Sequence, residues 1–163
     1  MNADTLAETV RHAMRRTASG VAVLATDGPG GLAGVTVSTL CSLSLEPPSV
    51  IACVHAESRA LPPVLENGAF SANILAEGQE AIAAAFAGFL PEHRENRFGA
   101  GEWSHANGLP RLEGAVASFA CRLADHHRFG THSILIGEIF DVAATDAAPL
   151  IYADRTFRSL SAA

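Results

Sequence analysis

Basic residues and long apolar runs are both scarce in this chain of 163 residues. Lys and Arg together number 11 against 17 Asp and Glu, which gives a formal net charge of -6 at pH 7. Nucleic acids and anionic membranes select for clustered Lys and Arg. A membrane-spanning helix needs ~20 consecutive apolar residues, and no stretch supplies them. We therefore expect neither nucleic acid nor a membrane as a partner.

The N-terminus lacks the features of a signal peptide. Asp4 and Glu8 lie where a basic start and an apolar core would stand. The length is enough for one domain with a sizeable core, but not for separate nucleotide-binding and catalytic domains. The sequence therefore predicts a cytoplasmic protein with a single domain over residues 1–163.

Cysteine is too sparse for a disulfide framework. Cys41, Cys53 and Cys121 are odd in number, form no CxxC pair and lie in apolar patterns, so we expect buried free thiols. His93 and His105 match no zinc-motif spacing, and we expect both side chains to be solvated. No metal site is predicted.

The first recognisable element is an N-terminal helix. Thr5 and Glu8 have the spacing of a capping box, and the helix is predicted from about Leu6 to Arg16. Apolar residues at helical spacing define one face of it. These residues are Leu6, Val10 and Met14.

A β-hairpin follows the helix. Val21–Thr26 and Leu32–Val37 read as strands on either side of a glycine-rich turn. Gly28, Gly30 and Ala33 have the G-x-G-x-x-A spacing of a dinucleotide-binding unit. That fingerprint requires a helix next, whereas the residues that follow are β-branched, so we reject a Rossmann motif.

The rest of the chain alternates strands with short helices. Further strands are predicted at Ser49–His55, Phe70–Leu75, Ala115–Leu123 and Ser133–Val142, with two short strands around Ala153-Asp154. Helices are predicted from Pro62-Pro63 to a stop at Gly68, and from about Glu80 to Phe89 with Phe86 and Phe89 in the core. Pro91–Leu112 reads as a long irregular loop, either a lid or an oligomer contact. These elements predict a mostly antiparallel β protein with about three short helices, closed into a barrel or a sandwich.

The stretch Gly34–Ile51 is the strongest candidate for a binding site. It reads as strand, small polar loop and strand, with almost no charge and many short hydroxyls. Such a surface lets a flat polar ligand approach the main chain, although a Ser/Thr-rich edge strand with a turn has the same composition. Ser58 and Arg59 lie just before a predicted helix N-terminus, where they could bind phosphate or form a cap beside a solvated arginine.

Two histidines, His126 and His132, bracket a predicted turn at one rim of the sheet. A metal would need a carboxylate or thiolate companion at ligand spacing, which is not evident. A histidine beside a ligand pocket can instead donate to a carboxamide or attract an anionic substrate.

The run Gly34-Val-Thr-Val-Ser-Thr-Leu-Cys-Ser-Leu-Ser-Leu-Glu-Pro-Pro48 resembles the signature of the short-chain flavin reductases. These are the reductase components of two-component flavin monooxygenases. The resemblance extends in order along nearly the whole chain. The other matching runs are Phe70-Ser-Ala-Asn-Ile-Leu75, Gly108–Ala115, Gly130-Thr-His132, Ile136–Ile139 and Pro149–Arg155.

The resemblance implies a split β-barrel of Greek-key type that binds FMN or FAD as a homodimer, with the flavin near the subunit interface. The implied cofactor-binding residues are Thr36, Val37, Ser38, Thr39, Ala52, Cys53, Val54, Ser58, Arg59 and Asn73. Among them, Ser58 and Arg59 would meet the phosphate. The residues implied for the nicotinamide nucleotide are His126, His132, Tyr152 and Arg155.

The implied activity is an NAD(P)H:flavin oxidoreductase that supplies reduced flavin to a separate monooxygenase. The cofactors carry the difficult chemistry, so no catalytic acid, base or nucleophile is assigned. The choice between FMN and FAD is open. No clear basic cluster near His132 could receive a 2′-phosphate, which favours NADH over NADPH. The alternatives are a non-enzymatic flavin-binding protein and a pyridoxamine phosphate oxidase-like enzyme. The phosphate substrate of such an oxidase calls for extra basic residues, whereas this chain has only 11, scattered along its length.

Overall fold

The computed structural model describes residues 3–161. The helices are α1 (Ala3–Met14), α2 (Leu61–Asn67) and α3 (Glu80–Ala87), with 3-10 turns at Pro91–His93 and Arg97–Gly99. The first strands are β1 (Ser19–Gly20), β2 (Ala22–Thr26), β3 (Ala33–Val37), β4 (Cys41–Leu45), β5 (Pro48–His55) and β6 (Ala69–Ile74). The later strands are β7 (Trp103–Ala106), β8 (Leu109–Leu112), β9 (Ala117–Phe129), β10 (His132–Ala144), β11 (Ile151–Ala153) and β12 (Thr156–Arg158).

Seven of these strands form one antiparallel sheet in the order β3-β2-β6-β9-β10-β5-β4. Strands β2 and β6, and β5 and β10, are neighbours in space but not in sequence, as in a Greek key. The side chain of Thr39, just after β3, reaches β5. Its hydroxyl donates to the Cys53 carbonyl at 3.0 Å and accepts from the Cys53 N–H at 2.9 Å. This bridge brings the β3 end of the sheet to β5, so the strands curl around a common interior.

Two hydrophobic clusters share strand β2, which is buried along its whole length. The cluster inside the curled sheet includes Leu24, Ala52, Phe70 and Leu135. The other cluster lies on the opposite face of β2, under α3 and the β7–β8 hairpin, and is centred on Phe86. A strand that is covered on both faces reads as a continuous apolar run, which explains the sequence of β2.

The structure confirms the first hairpin and the helix stops. Strands β2 and β3 pair in antiparallel register, and a strand rather than a helix follows the glycine-rich turn. Gly68 ends α2 in the left-handed conformation with φ 66°. Gly88 ends α3 in the same way with φ 83°, just before the predicted limit at Phe89.

The capping box predicted for the first helix is wrong. Helix α1 begins at Ala3, so Thr5 lies inside its first turn, and the Thr9 hydroxyl donates to the Thr5 carbonyl at 2.8 Å. Leu6, Val10 and Met14 share a face, as predicted. They are 50%, 50% and 61% exposed, so this face does not belong to the core of the single chain.

The segment predicted as a long irregular loop has regular secondary structure. It contains the two 3-10 turns and the β7–β8 hairpin, in which Trp103 pairs with Leu112. The Trp103 indole N–H donates to the Ala100 carbonyl at 2.9 Å, and its ring packs against Phe86. His105 is exposed, as expected, but its Nε2 lies 3.0 Å from an Asp27 carboxylate oxygen.

Other differences involve the edges of the sheet. Cys41 lies in β4, an edge strand where a loop was predicted, and it is exposed rather than buried. Cys53 is half-buried and Cys121 is buried, and all three thiols are free.

Phe89 is 77% exposed, so only Phe86 of the predicted aromatic pair belongs to the core. Within residues 3–161, no helix has the length and apolar character needed to cross a bilayer.

Candidate functional site

The predicted binding stretch lies at the end of β3 and in the loop that follows. Thr36 is half-buried, and its hydroxyl donates to the Ala83 carbonyl of α3 at 2.7 Å. Val37 points into the core, and the Thr39 hydroxyl is engaged with β5. Ser38 is exposed. The surface therefore offers a ligand its main chain and the Ser38 hydroxyl, while the two threonine hydroxyls fix the surface in place. We call Thr36–Thr39 the shelf.

The β11–β12 hairpin lies beside the shelf. Asp154 and Arg155 form its two-residue turn with φ of 50° and 61°, as a type I′ turn requires. The Tyr152 ring packs on Phe157 with ring centroids 5.4 Å apart. The structure thus brings two predicted nucleotide-binding residues, Tyr152 and Arg155, to the predicted flavin residues.

Two cavities adjoin the shelf, and Ser38 and Tyr152 line both of them. The first, of about 170 Å³, is mainly apolar. Its wall includes Ala87 of α3 and Phe89, an exposed aromatic residue that sequence reasoning had assigned to the core. An aromatic residue and small alanines next to an exposed main chain suit a planar ring.

The second cavity, of about 420 Å³, is polar on one side. Arg155 lines it together with Arg11 and Arg15 from the end of α1. These two arginines had no predicted role. The only local signal for them was their four-residue spacing at the end of a predicted helix.

Strand β5 supports the shelf rather than presenting side chains to it. Ala52 and Val54 are 0% and 3% exposed and point into the interior cluster, and Cys53 between them is half-buried. All three belong to the implied cofactor-binding set, and their assignment as flavin contacts stays a prediction. The Ala52 and Val54 side chains themselves face the core.

The predicted phosphate residues lie at the other end of β3. Ser58 accepts a hydrogen bond on its hydroxyl from the Ala60 N–H at 3.3 Å, and Arg59 is exposed. Arg59 lines a cavity of about 280 Å³ together with Gly34, Arg94 and Arg97. Glu95 lines the same cavity, but the three guanidinium groups outnumber this one carboxylate, which favours an anion.

Arg97 was not singled out from the sequence. Its Nη1 donates to the Phe86 carbonyl at 3.0 Å and to the Gly34 carbonyl at 3.3 Å, so it connects the end of α3 to β3. A cation at the C-terminal end of a helix also complements the helix dipole. No local pattern identified Arg97, because its partners lie 11 and 63 residues away.

Asn73 is a correction to the predicted cofactor-binding set. Its side chain is fully buried, and its amide donates to Val23 at 3.2 Å and to Ser71 at 3.0 Å. Its carbonyl oxygen accepts from the Leu112 N–H at 3.0 Å and from the Ser118 hydroxyl at 2.7 Å. With these polar groups engaged inside the protein, Asn73 joins β6 to its neighbours, and we leave it out of the proposed ligand contacts.

The two predicted histidines lie on the paired strands β9 and β10. Strand β9 continues to Phe129, so His126 lies within the strand opposite Leu135 rather than at the turn. His132 lies opposite His55, and the two rings meet edge to face with centroids 5.2 Å apart. His55 begins the turn that contains Ser58. His132 is therefore a neighbour of the predicted phosphate residues.

The described residues contain no cluster of three or more His, Cys, Asp or Glu that could hold a metal ion. Burial raises the pKa of the Cys121 thiol from 9.0 to about 12. A thiol with this pKa is neutral at physiological pH and is a poor nucleophile.

The fold and this site define a flavin reductase-like domain. The model of that family, described as "Flavin reductase like domain", matches residues 14–161, and the chain belongs to this family. The fold predicted from the sequence, a mostly β split barrel with a few helices, is confirmed by its similarity to solved flavin reductases.

Individual relatives make the comparison more specific. The chain is 41% identical over 152 residues to the FMN reductase (NADH) RutF 1 of Methylorubrum extorquens strain PA1, covering 92% of this chain and 74% of that protein. Flavin reductase PheA2 has a TM-score of 0.88 and 26% identity, covering 99% of this chain and 100% of that one. BorF, the flavin reductase component of a bacterial two-component tryptophan halogenase, has a TM-score of 0.85 and 27% identity, covering 96% and 99%.

Proposed function

We propose that the shelf at Thr36–Thr39 holds the ring of a flavin while a nicotinamide nucleotide docks beside Tyr152 and Arg155. The protein is an NADH-dependent flavin reductase, and its product is reduced flavin for a monooxygenase component. One observation carries the site assignment. The shelf, Tyr152 and Arg155 border two adjoining cavities, although Ser38 and Tyr152 are more than 100 residues apart in sequence.

The residues of the shelf fit a flavin. Ser38 and the main chain after β3 are exposed, and no charged side chain of the shelf itself stands in the way of a ring. When bound, the flavin accepts a hydride, and that redox chemistry is its own. The chain supplies position: Thr36 fixes the shelf to α3, Thr39 fixes it to β5, and N–H groups can stabilise charge on a polar ring edge.

Arg59 and Ser58 are proposed to bind the flavin phosphate at the start of β3. Arg59 is exposed, and Arg94 and Arg97 line the same cleft. His132 pairs with His55 at the start of this turn, so it also lies near these residues. The assignments of His126 and His132 to the nicotinamide nucleotide stay predictions.

FMN and NADH are the proposed substrates. The support is the similarity to a relative named for FMN and NADH. The chemistry on the shelf requires only the ring and one hydride donor, so FAD remains an alternative substrate for the same surface.

A homodimer is the proposed assembly. Leu43 and Leu45 of the edge strand β4 are 47% and 81% exposed, and an apolar cavity of about 340 Å³ runs from Leu45 to Phe119 and Ile139. An exposed apolar sheet edge favours association with another chain.

We also propose that residues 1–163 act as one domain, since β2 belongs to both hydrophobic clusters. A cytoplasmic location is supported by three free thiols, which persist in a reducing compartment.

The test is a steady-state assay that crosses FMN and FAD with NADH and NADPH. We expect FMN-dependent oxidation of NADH with the highest kcat/KM for that pair. Flavin binding without turnover would instead identify a flavin carrier, the first alternative. Turnover of pyridoxamine phosphate in preference to NADH would identify the oxidase alternative.

A further inference from the structure

We propose that Arg11 and Arg15, with Arg155, form a binding subsite for the diphosphate of the dinucleotide hydride donor. The inference rests on the proposed function and adds helix α1 to the substrate site. Neither the family resemblance nor the comparisons gave α1 a role.

The backbone fixes the two helical arginines on one face. The Arg15 N–H donates to the Arg11 carbonyl at 3.3 Å, so the helical turn continues past Met14. Residues four positions apart in a helical turn lie on the same face. The Arg15 carbonyl in turn accepts from the Asp154 N–H at 2.7 Å. This bond joins the end of α1 to the β11–β12 turn, which carries Arg155.

The three guanidinium groups surround a cavity next to the shelf. All three line the cavity of about 420 Å³ that Ser38, Thr39 and Tyr152 also line. Among the residues that the structure describes, the ion pairs formed are His105–Asp27, Arg111–Asp141 and Arg122–Glu138, and none involves these three arginines. The cavity wall contains no Asp or Glu. Three cations without a carboxylate partner stand out in a chain of net charge -6.

A diphosphate fits this arrangement better than a single phosphate does. It carries two adjacent anionic groups, and the planar guanidinium fork binds phosphate oxygens in pairs. The flavin phosphate already has a candidate partner in Arg59, which lies at the opposite end of β3. A hydride donor must bring its nicotinamide to the ring on the shelf, and its diphosphate then lies within a nucleoside's length of that ring. The adjoining cavity at Arg11, Arg15 and Arg155 is at this position.

The experiment compares two hydride donors on the R11A/R15A double variant. NADH has the diphosphate, whereas 1-benzyl-1,4-dihydronicotinamide has no phosphate. We expect the KM for NADH to rise roughly tenfold or more with little change in kcat. The rate with the phosphate-free donor and the KM for FMN are expected to stay within about twofold of the unmodified protein. Inorganic pyrophosphate is expected to inhibit competitively against NADH, and to do so more weakly in the variant.

The matched control is R16A, because Arg16 is the next residue, is exposed and does not line the cavity. An unchanged KM for NADH in R11A/R15A would overturn the proposal. An equal loss of activity with both donors would also overturn the proposal, since such a loss would indicate a structural effect of α1. A rise in the KM for FAD alone would instead assign the arginines to the FAD diphosphate. A rise in the KM for NADPH alone would assign them to its 2′-phosphate. If the unmodified protein reduced FMN with neither donor, the proposed function would fail first.

Discussion

Two threonine hydroxyls and one serine hydroxyl on the shelf have different roles, although the sequence makes them look alike. Thr36 and Thr39 donate to backbone carbonyls of α3 and β5, and Ser38 is exposed. A hydroxyl that satisfies a backbone group keeps the shelf in one conformation. Binding specificity then comes from the main chain and Ser38, while the threonines limit the entropy lost when a ring docks.

Replacement of Arg59 by alanine tests the phosphate assignment. Arg59 is exposed at the cleft and is proposed to contact the flavin only through its phosphate. We expect the KM for FMN to rise roughly tenfold in R59A while kcat changes by less than about twofold, because the contact is the same in the ground state and the transition state. Steady-state kinetics with saturating NADH provide the measurement, and R16A is the control. An unchanged KM would remove Arg59 from the phosphate site.

Cys121 and Cys41 provide a second test at this scale. Burial raises the pKa of Cys121 to about 12, whereas Cys41 is exposed on β4. A thiol reagent at pH 8 is therefore expected to label Cys41 in the native protein and Cys121 only after unfolding. Mass spectrometry of the labelled peptides gives the result. Rapid native labelling of Cys121 would contradict its burial.

The same pKa shift makes stability depend on alkaline pH. The unfolded chain loses the Cys121 proton near its ordinary pKa of 9.0, whereas the folded protein keeps it up to about 12. The unfolded state is therefore favoured increasingly as pH rises from about 9 to about 12. Urea unfolding at several pH values is expected to show this loss, and C121A is expected to show a smaller slope over the same interval.

At the scale of elements, the shelf depends on how closely β3 approaches α3. Thr36 donates to the Ala83 carbonyl, and Arg97 connects the Gly34 and Phe86 carbonyls. A Cβ added at Gly34 would lie 2.6 Å from Phe86 Cε1, so only glycine permits this approach. The position of the binding surface is thus set by the packing of a helix on a strand.

Replacement of Gly34 by alanine is expected to push β3 away from α3. Phe86 is fully buried and has little room to move, so G34A is expected to reduce the free energy of unfolding by about 1–3 kcal/mol. Urea denaturation measures the change. G20A is the matched control, since a Cβ at Gly20 meets nothing within 4 Å. Equal stability of the two variants would show that the close approach is not required.

Helix α1 belongs to the site rather than to the core. Its apolar face is half exposed in the single chain, and its end is fastened to the β11–β12 turn by the Arg15 carbonyl. An element held mainly at one end can adjust to a ligand or to a second subunit. This attachment explains how a helix outside the sheet can still hold arginines beside the shelf.

At the scale of the whole molecule, the open edge at β4 is the proposed contact between two chains. Leu45 is 81% exposed there, beside the apolar cavity that reaches Phe119. We expect the protein to be a dimer, and L45E to shift it toward the monomer by burying a charge in the interface. Light scattering after size-exclusion chromatography measures the mass. F129E is the control, since Phe129 is 77% exposed at the β9–β10 hairpin end and does not line that cavity. A monomeric unmodified protein, or a dimeric L45E variant, would contradict this interface.

The amount of the fold that could be predicted follows from how far apart the interacting residues are. The β2–β3 hairpin, the proline-initiated helix α2 and its stop at Gly68 depend on neighbours within a few residues, and the sequence predicted them. Strand β4 was read as a loop, because its small polar residues pair only with β5 at the edge of the sheet. Helix α1 was placed too late because an internal threonine resembled a cap.

The sequence by itself determined the class of the protein, since ordered runs from Gly34 to Arg155 identify the flavin reductase family and local patterns determine most of its strands. Only the tertiary structure decided which of the predicted residues meet. It turned Asn73 inward, paired His132 with His55, and brought Arg11 and Arg15 to Arg155. The physical reason is that strand order, not local propensity, sets contacts between residues more than 40 positions apart, and the order of a sheet is a property of the whole chain.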